Sequence, residues 1–137
     1  MKATLEMARV LLVDDDPASR LTLQTLLQAG GYAVDSAATG AEAVNKLDEQ
    51  EYELVLSSVG MESPDAGYRV LAHARAVEYK PAMALLTIHS SQDTSNRLWK
   101  SREALIAPED VPELLDRVAG LIGDRANRRL RNSQRRG

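Results

Sequence analysis

The chain has 137 residues, of which 44% are hydrophobic and 27% charged, with a net charge of −3 and no cysteine. That length and balance are those of one ordinary globular domain, long enough to bury a core without covalent staples. The lack of cysteine excludes disulfides, thiolate metal sites and thiol nucleophiles, and fits a reducing compartment.

The opening residues, MKATLEMARV, contain no apolar run of signal-peptide length, and no stretch approaches the ~18 apolar residues of a membrane span. A soluble, cytoplasmic protein without membrane contact is therefore expected. The charge is unevenly spread. Residues 124–137 hold six arginines and one aspartate, or +5, which leaves −8 on residues 1–123. An acidic domain over residues 8–123 followed by an arginine-rich tail over 124–137 is the expected organisation.

In chain order, Arg9 to Val13 is a short apolar, β-branched run that suits a strand buried on both faces. Asp16 and Pro17 then open a helix, the first as cap and the second at the first helical position. Leu23, Leu26 and Leu27 give that helix one apolar face, and Gly30-Gly31 stops it. Tyr32 to Ala37 is a second strand. Thr39 caps a helix over 40–50, with Glu42 as the capping-box partner and Ala43, Val44 and Leu47 inward. Glu53 to Ser57 is a third strand. The loop GMESPDAG leads into a helix from about Gly67 to Tyr79, ended by Pro81. Ala82 to Thr87 is a fourth strand and Glu103 to Ala107 a short fifth, with a weak helix over 91–100 between them. Pro108 to Gly123 forms the last helix, with Val111, Leu114, Leu115, Val118 and Leu121-Ile122 inward.

Strands alternating with helices predict an α/β fold, a doubly wound parallel sheet joined by right-handed crossovers. Ligands of such sheets bind beyond the carboxyl ends of the strands, where the strand order reverses. The residues at those ends are Asp14, Asp15 and Asp16 after the first strand, Ser57 and Ser58 at the third, Thr87 at the fourth, and Ala107-Pro108 at the fifth.

The segment from Val10 to Ser58, with its VDDDP entry and the matching β-α units after it, resembles response-regulator receiver domains. The resemblance covers about residues 8–123. It implies a (βα)5, flavodoxin-like fold with strand order 2-1-3-4-5. It also implies a phosphorelay reaction, in which an aspartate at the end of the third strand takes a phosphoryl group from a kinase phosphohistidine with the help of Mg²⁺. Asp14 and Asp15 match the family's acidic pair, and Thr87 matches its hydroxyl switch residue. The phosphoacceptor position holds Ser58, the lysine position holds Ala107, and the aromatic switch position holds Ala104. The loop Met61 to Gly67 is one residue longer than the family's pattern.

A serine cannot form an acyl phosphate, and its hydroxyl is a poor nucleophile without a positioned base. Ala107 supplies no charge to a transferring phosphoryl group. The chain therefore resembles a pseudo-receiver, with no catalytic residue and no enzymatic activity, working by protein–protein interaction without phosphorylation. Asp14 and Asp15 are expected to bind Mg²⁺ weakly at most, and no other cofactor is implied. The plainer reading of the pair is solvated acids at a strand end, and of Thr87 an ordinary strand terminus. The implied partners are a histidine kinase, an effector or another receiver, and pairing of two copies is open. The partner surface would be built from the helix over 91–100, the fifth strand and the last helix. Two alternatives stand beside this reading: phosphorylation at a non-standard residue such as Asp16 or Asp65, and a nucleic-acid-binding regulator using the arginine tail. The second is disfavoured because the tail has no interleaved aromatics.

Overall fold

The computed structural model describes residues 8–58, 66–86, 104–106 and 111–136. It is a parallel α/β fold of the flavodoxin-like kind. The described elements are β1 (Arg9–Val13), α1 (Pro17–Ala29), β2 (Ala33–Ala37), α2 (Gly40–Glu49), β3 (Leu54–Ser58), α3 (Ala66–Ala76), β4 (Ala82–Leu86), β5 (Ala104–Ile106) and α4 (Val111–Arg136). The sheet runs β2-β1-β3-β4, and the three residues of β5 pair parallel alongside β4.

The strand sequences explain that order. β3 (LVLSS) is buried along its whole length and lies between β1 and β4, whereas β2 (AVDSA), with two polar residues, takes an edge. Alternate strand residues feed two cores. Leu11, Val13, Val55 and Leu85 pack with Ala43 and Leu47 of α2 and Val70, Leu71 and Ala74 of α3. Val10, Leu12, Leu54, Leu56, Ala84 and Leu86 pack with Leu23 and Leu27 of α1 and Leu114 and Val118 of α4. Each fully buried leucine contributes ~1.5–3 kcal/mol of burial free energy before entropy is counted.

The helix ends follow their chemistry. Asp16 caps α1 by accepting from the Ser19 N–H at 3.1 Å, and Pro17 stands first in the helix. α1 stops at Gly30. The next residue, Gly31, has φ +101°, in the left-handed range that a side chain disfavours. Thr39 accepts from the Glu42 N–H at 3.1 Å. Glu42 reaches back to the Ala38 N–H at 2.9 Å, one residue before the cap, rather than to Thr39 itself.

Two helix ends and one buried face differ most from what the sequence predicts. α3 ends at Ala76 rather than near Tyr79, because Val77 to Lys80 form a turn in which Lys80 takes φ +48°. The buried face of α2 is carried by Ala43 and Leu47, with Val44 only half-buried. The last helix does not end at Gly123 but continues to Arg136. Neither Gly120 nor Gly123 has an atom within 4 Å of where a Cβ would stand, so both lie on an open side of the helix. The residues after them include no proline, so nothing in the backbone forces a stop. The helix expected over 91–100 lies outside the described residues. Among the described residues, no helix is long and apolar enough to cross a membrane.

Candidate functional site at the strand ends

β1 and β3 are neighbours at the centre of the sheet, while the chain goes from β1 outward to β2 before returning to β3. The order therefore reverses between β1 and β3, and their carboxyl ends border the crevice that such a reversal opens. The last β1–β3 pair is Val13 with Ser57. One residue further along stand Asp14 and Ser58. Ser58 in turn pairs with Leu86 of β4, which pairs with Ile106 of β5.

Asp14 is buried, at 2% exposure, and almost all its polar groups are engaged. Its N–H donates to the Ala37 carbonyl at 3.0 Å, extending the β1–β2 ladder. Its Oδ1 accepts from the Asp16 N–H at 3.1 Å. Its carbonyl accepts from Arg20 Nη1 at 2.7 Å. Asp15 and Asp16 are exposed beside it.

Arg20 is the residue that the sequence reading passed over. It lies in the first turns of α1, six residues after Asp14, so the helix carries its guanidinium back to the strand end. The signal was present: an arginine one turn into a helix that starts directly after an acidic strand end. The guanidinium offsets part of the negative charge of three consecutive aspartates.

Ser58 is 3% exposed and Ser57 fully buried. The Ser57 Oγ has no hydrogen-bond partner among the described residues. The strand register thus sets Asp14 beside Ser58 at the carboxyl ends of β1 and β3, with Asp15 exposed next in the chain. Ala104 opens β5 and pairs with Ala84, away from that crevice end. Thr87 and Ala107 follow directly after Leu86 and Ile106 but lie outside the described residues, as do Asp65, His89 and Trp99. His73, on α3, faces Asp48 of α2 at 2.8 Å and has no part in the crevice.

Mg²⁺ takes near-octahedral oxygen ligands and is held by carboxylates when it has no phosphate to share. Here two carboxylates border the crevice, and Asp14 already accepts a backbone N–H through one oxygen. Ser58 adds a neutral hydroxyl where a third charge would be needed. Among the described residues, no group of three or more Asp, Glu, His or Cys side chains is placed to hold a metal ion.

Comparison with known proteins bears on the same residues. The family model described as "Response regulator receiver domain" matches residues 10–118. The chain is 33% identical over 111 residues to the transcriptional regulatory protein ZraR of Klebsiella oxytoca, covering 80% of this chain and 25% of that protein. It is 36% identical over 106 residues to the gliding motility regulatory protein of Myxococcus xanthus, covering 75% of this chain and 14% of that protein. The chain thus spans a quarter or less of these relatives. Among solved structures, it is similar to the response regulator TrrA from Thermotoga maritima in complex with Mg²⁺ and BeF. The TM-score is 0.71 at 31% identity, covering 84% of this chain and 99% of that one. A receiver protein from Sinorhizobium medicae aligns with a TM-score of 0.76 at 21% identity, covering 89% and 99%, a likeness of fold alone.

Proposed function

Because the chain belongs to the response-regulator receiver family, we propose that it is an atypical receiver of two-component (phosphorelay) signalling that acts through protein contacts without being phosphorylated. A receiver is a signalling module and not a catalytic enzyme. The observation that carries the proposal is the buried Ser58 beside Asp14 at the crevice, where the family's phosphoacceptor aspartate is replaced.

In this reading Ser58 is the degenerate acceptor position and Ala107 the degenerate lysine position. Ala104 stands at the aromatic switch position and Thr87 is a hydroxyl with no phosphate to read. The loss of three parts of one mechanism argues that phosphoryl transfer was given up as a whole. Asp14 and Asp15 are the part retained, and they hold Mg²⁺ weakly at most. The receiver unit occupies residues 8–123 as a full (βα)5 with strand order 2-1-3-4-5, its remaining helix over 91–100, and 124–137 is an arginine-rich extension. Its place is the cytoplasm. Its partners are a histidine kinase, an effector, or another receiver, including a second copy.

Receivers switch between two states that the phosphate biases through its contacts with the hydroxyl and the lysine. Without acceptor and lysine that bias has no source, so one state dominates. Beryllofluoride with Mg²⁺ is the probe. The amide NMR spectrum of the free protein is expected to stay unchanged on adding it. Shifts spread over the sheet and α4 would contradict the proposal.

A further inference from the structure

The continuation of α4 past Gly123 calls for a cause. A glycine in a helix interior costs ~1 kcal/mol against alanine, and α4 contains Gly120 and Gly123 just before its arginine-rich end. Six arginines against one aspartate also repel one another along residues 124–136. Against those costs stand the high helix propensity of arginine and the favourable place of cations at a helix C-terminus, but neither local effect fixes where the helix lies on the body.

Long-range contacts do. Arg125 is 8% exposed, the one basic side chain among the buried residues described. Its Nε donates to the Lys80 carbonyl at 2.9 Å and its Nη2 to the Tyr79 carbonyl at 2.7 Å. Arg129, one turn on, donates to the same Tyr79 carbonyl at 2.8 Å. These partners are 45 to 50 residues away in sequence.

The turn is made to receive them. It lies between α3 and β4, Lys80 takes the left-handed conformation there, and Pro81 follows. The Tyr79 and Lys80 carbonyls point out of the turn and belong to neither helix nor strand ladder. Lys80 Nζ closes the other side by donating to the Arg75 carbonyl at 2.7 Å. A planar guanidinium with donors in a fixed fork spans two adjacent carbonyls as an ammonium cannot. Burial, followed by the neighbouring Arg129 and Arg128 charges, lowers the Arg125 pKa, while Glu53 and Glu51 act in its favour.

We propose that Arg125 and Arg129 form a clasp that fastens the last helix to the α3–β4 turn, so that the helix's position is set by the chain itself rather than by events at the strand ends. This rests on the reading of the chain as a receiver that does not use phosphorylation. The clasp deepens that reading, because a receiver with no phosphate to bias its output helix has here another means of holding it in one place. The arginine-rich segment, by the same argument, is part of the fold's framework and not a detachable tail.

Native-state hydrogen exchange of the full chain, resolved by segment, tests it. In Arg125→Ala/Arg129→Ala, residues 77–82 and 119–131 are expected to exchange about tenfold faster or more, while β1 and β3 keep their protection. Arg128→Ala/Arg131→Ala, which removes the same charge from exposed positions, is expected to leave both segments within about twofold of wild type. Unchanged exchange in the first variant overturns the clasp, and so does an equal loss in the second. Should the first variant not fold, Arg125→Lys takes its place. It keeps the charge but not the fork, and full protection in it also overturns the proposal. Phosphodonor labelling of the wild-type chain reports separately on the functional reading, so the two can fail independently.

Discussion

At the scale of single residues, the strand-end crevice is a balance of charges in which one member is missing. Asp14 is buried and held by the Ala37 carbonyl, the Asp16 N–H and Arg20. Its neighbour in register, Ser58, is neutral. A carboxylate there would add a third negative charge and a hard oxygen, which is what a divalent cation needs. In a Mg²⁺ titration followed by calorimetry, Ser58→Asp is therefore expected to bind at least about tenfold more tightly than wild type, a gain of ~1.4 kcal/mol. Equal affinity in the two proteins would mean that Ser58 is not the main defect. This much was legible in the sequence, because acidic residues and serines stood at the ends of the first and third strands. Arg20 was not read, since an arginine on a helix is ordinarily solvated and only the folded path from β1 into α1 turns it back.

At the scale of elements, the turns between helices and strands carry much of the polar pairing. The Tyr79 hydroxyl, on the α3–β4 turn, donates to the Leu47 carbonyl of α2 at 2.9 Å. Burial, followed by the nearby Glu51 charge, pushes its pKa up to about 12. Tyr52 is also raised, by burial and by its hydrogen bond to Asp35. A group whose folded pKa lies above its unfolded value stabilises the protein fully below the unfolded pKa. That stability is lost as pH rises through the folded pKa. Between roughly pH 10, the ordinary tyrosine value, and about 12, the fold is therefore expected to weaken progressively. Tyr79→Phe should remove one phenolate step near pH 12 from the 295 nm absorbance titration and flatten the alkaline slope of stability. A titration of the variant that overlays the wild-type curve would contradict this. Periodicity made the inward faces of these elements legible: Leu23 and Leu27 of α1, and Ala43 and Leu47 of α2, are all buried. Their ends were harder to read. α3 stops at Ala76 because a left-handed Lys80 fits the turn to Pro81, and Glu42 reaches past Thr39 to Ala38.

At the scale of the whole molecule, the uneven charge takes on a different meaning. The sequence divides into an acidic body and a basic tail, but the folded chain carries α4 without a break from Val111 to Arg136 and turns Arg125 and Arg129 back onto the body. Partners 45 or more residues apart leave no trace in local pattern, so the extent of the last helix could not be read from its own residues. The parallel sheet could, because apolar strand runs alternated with amphipathic helices throughout. In the function proposed here, this fold keeps a receiver's architecture and has lost its phosphoryl chemistry. The most direct measurement is incubation of the full chain with acetyl phosphate and Mg²⁺, followed by intact mass and peptide mapping. No phosphoryl adduct is expected on the wild-type protein. A stoichiometric, base-labile acyl phosphate at Asp14, Asp15, Asp16, Asp65 or any other carboxylate would contradict the account.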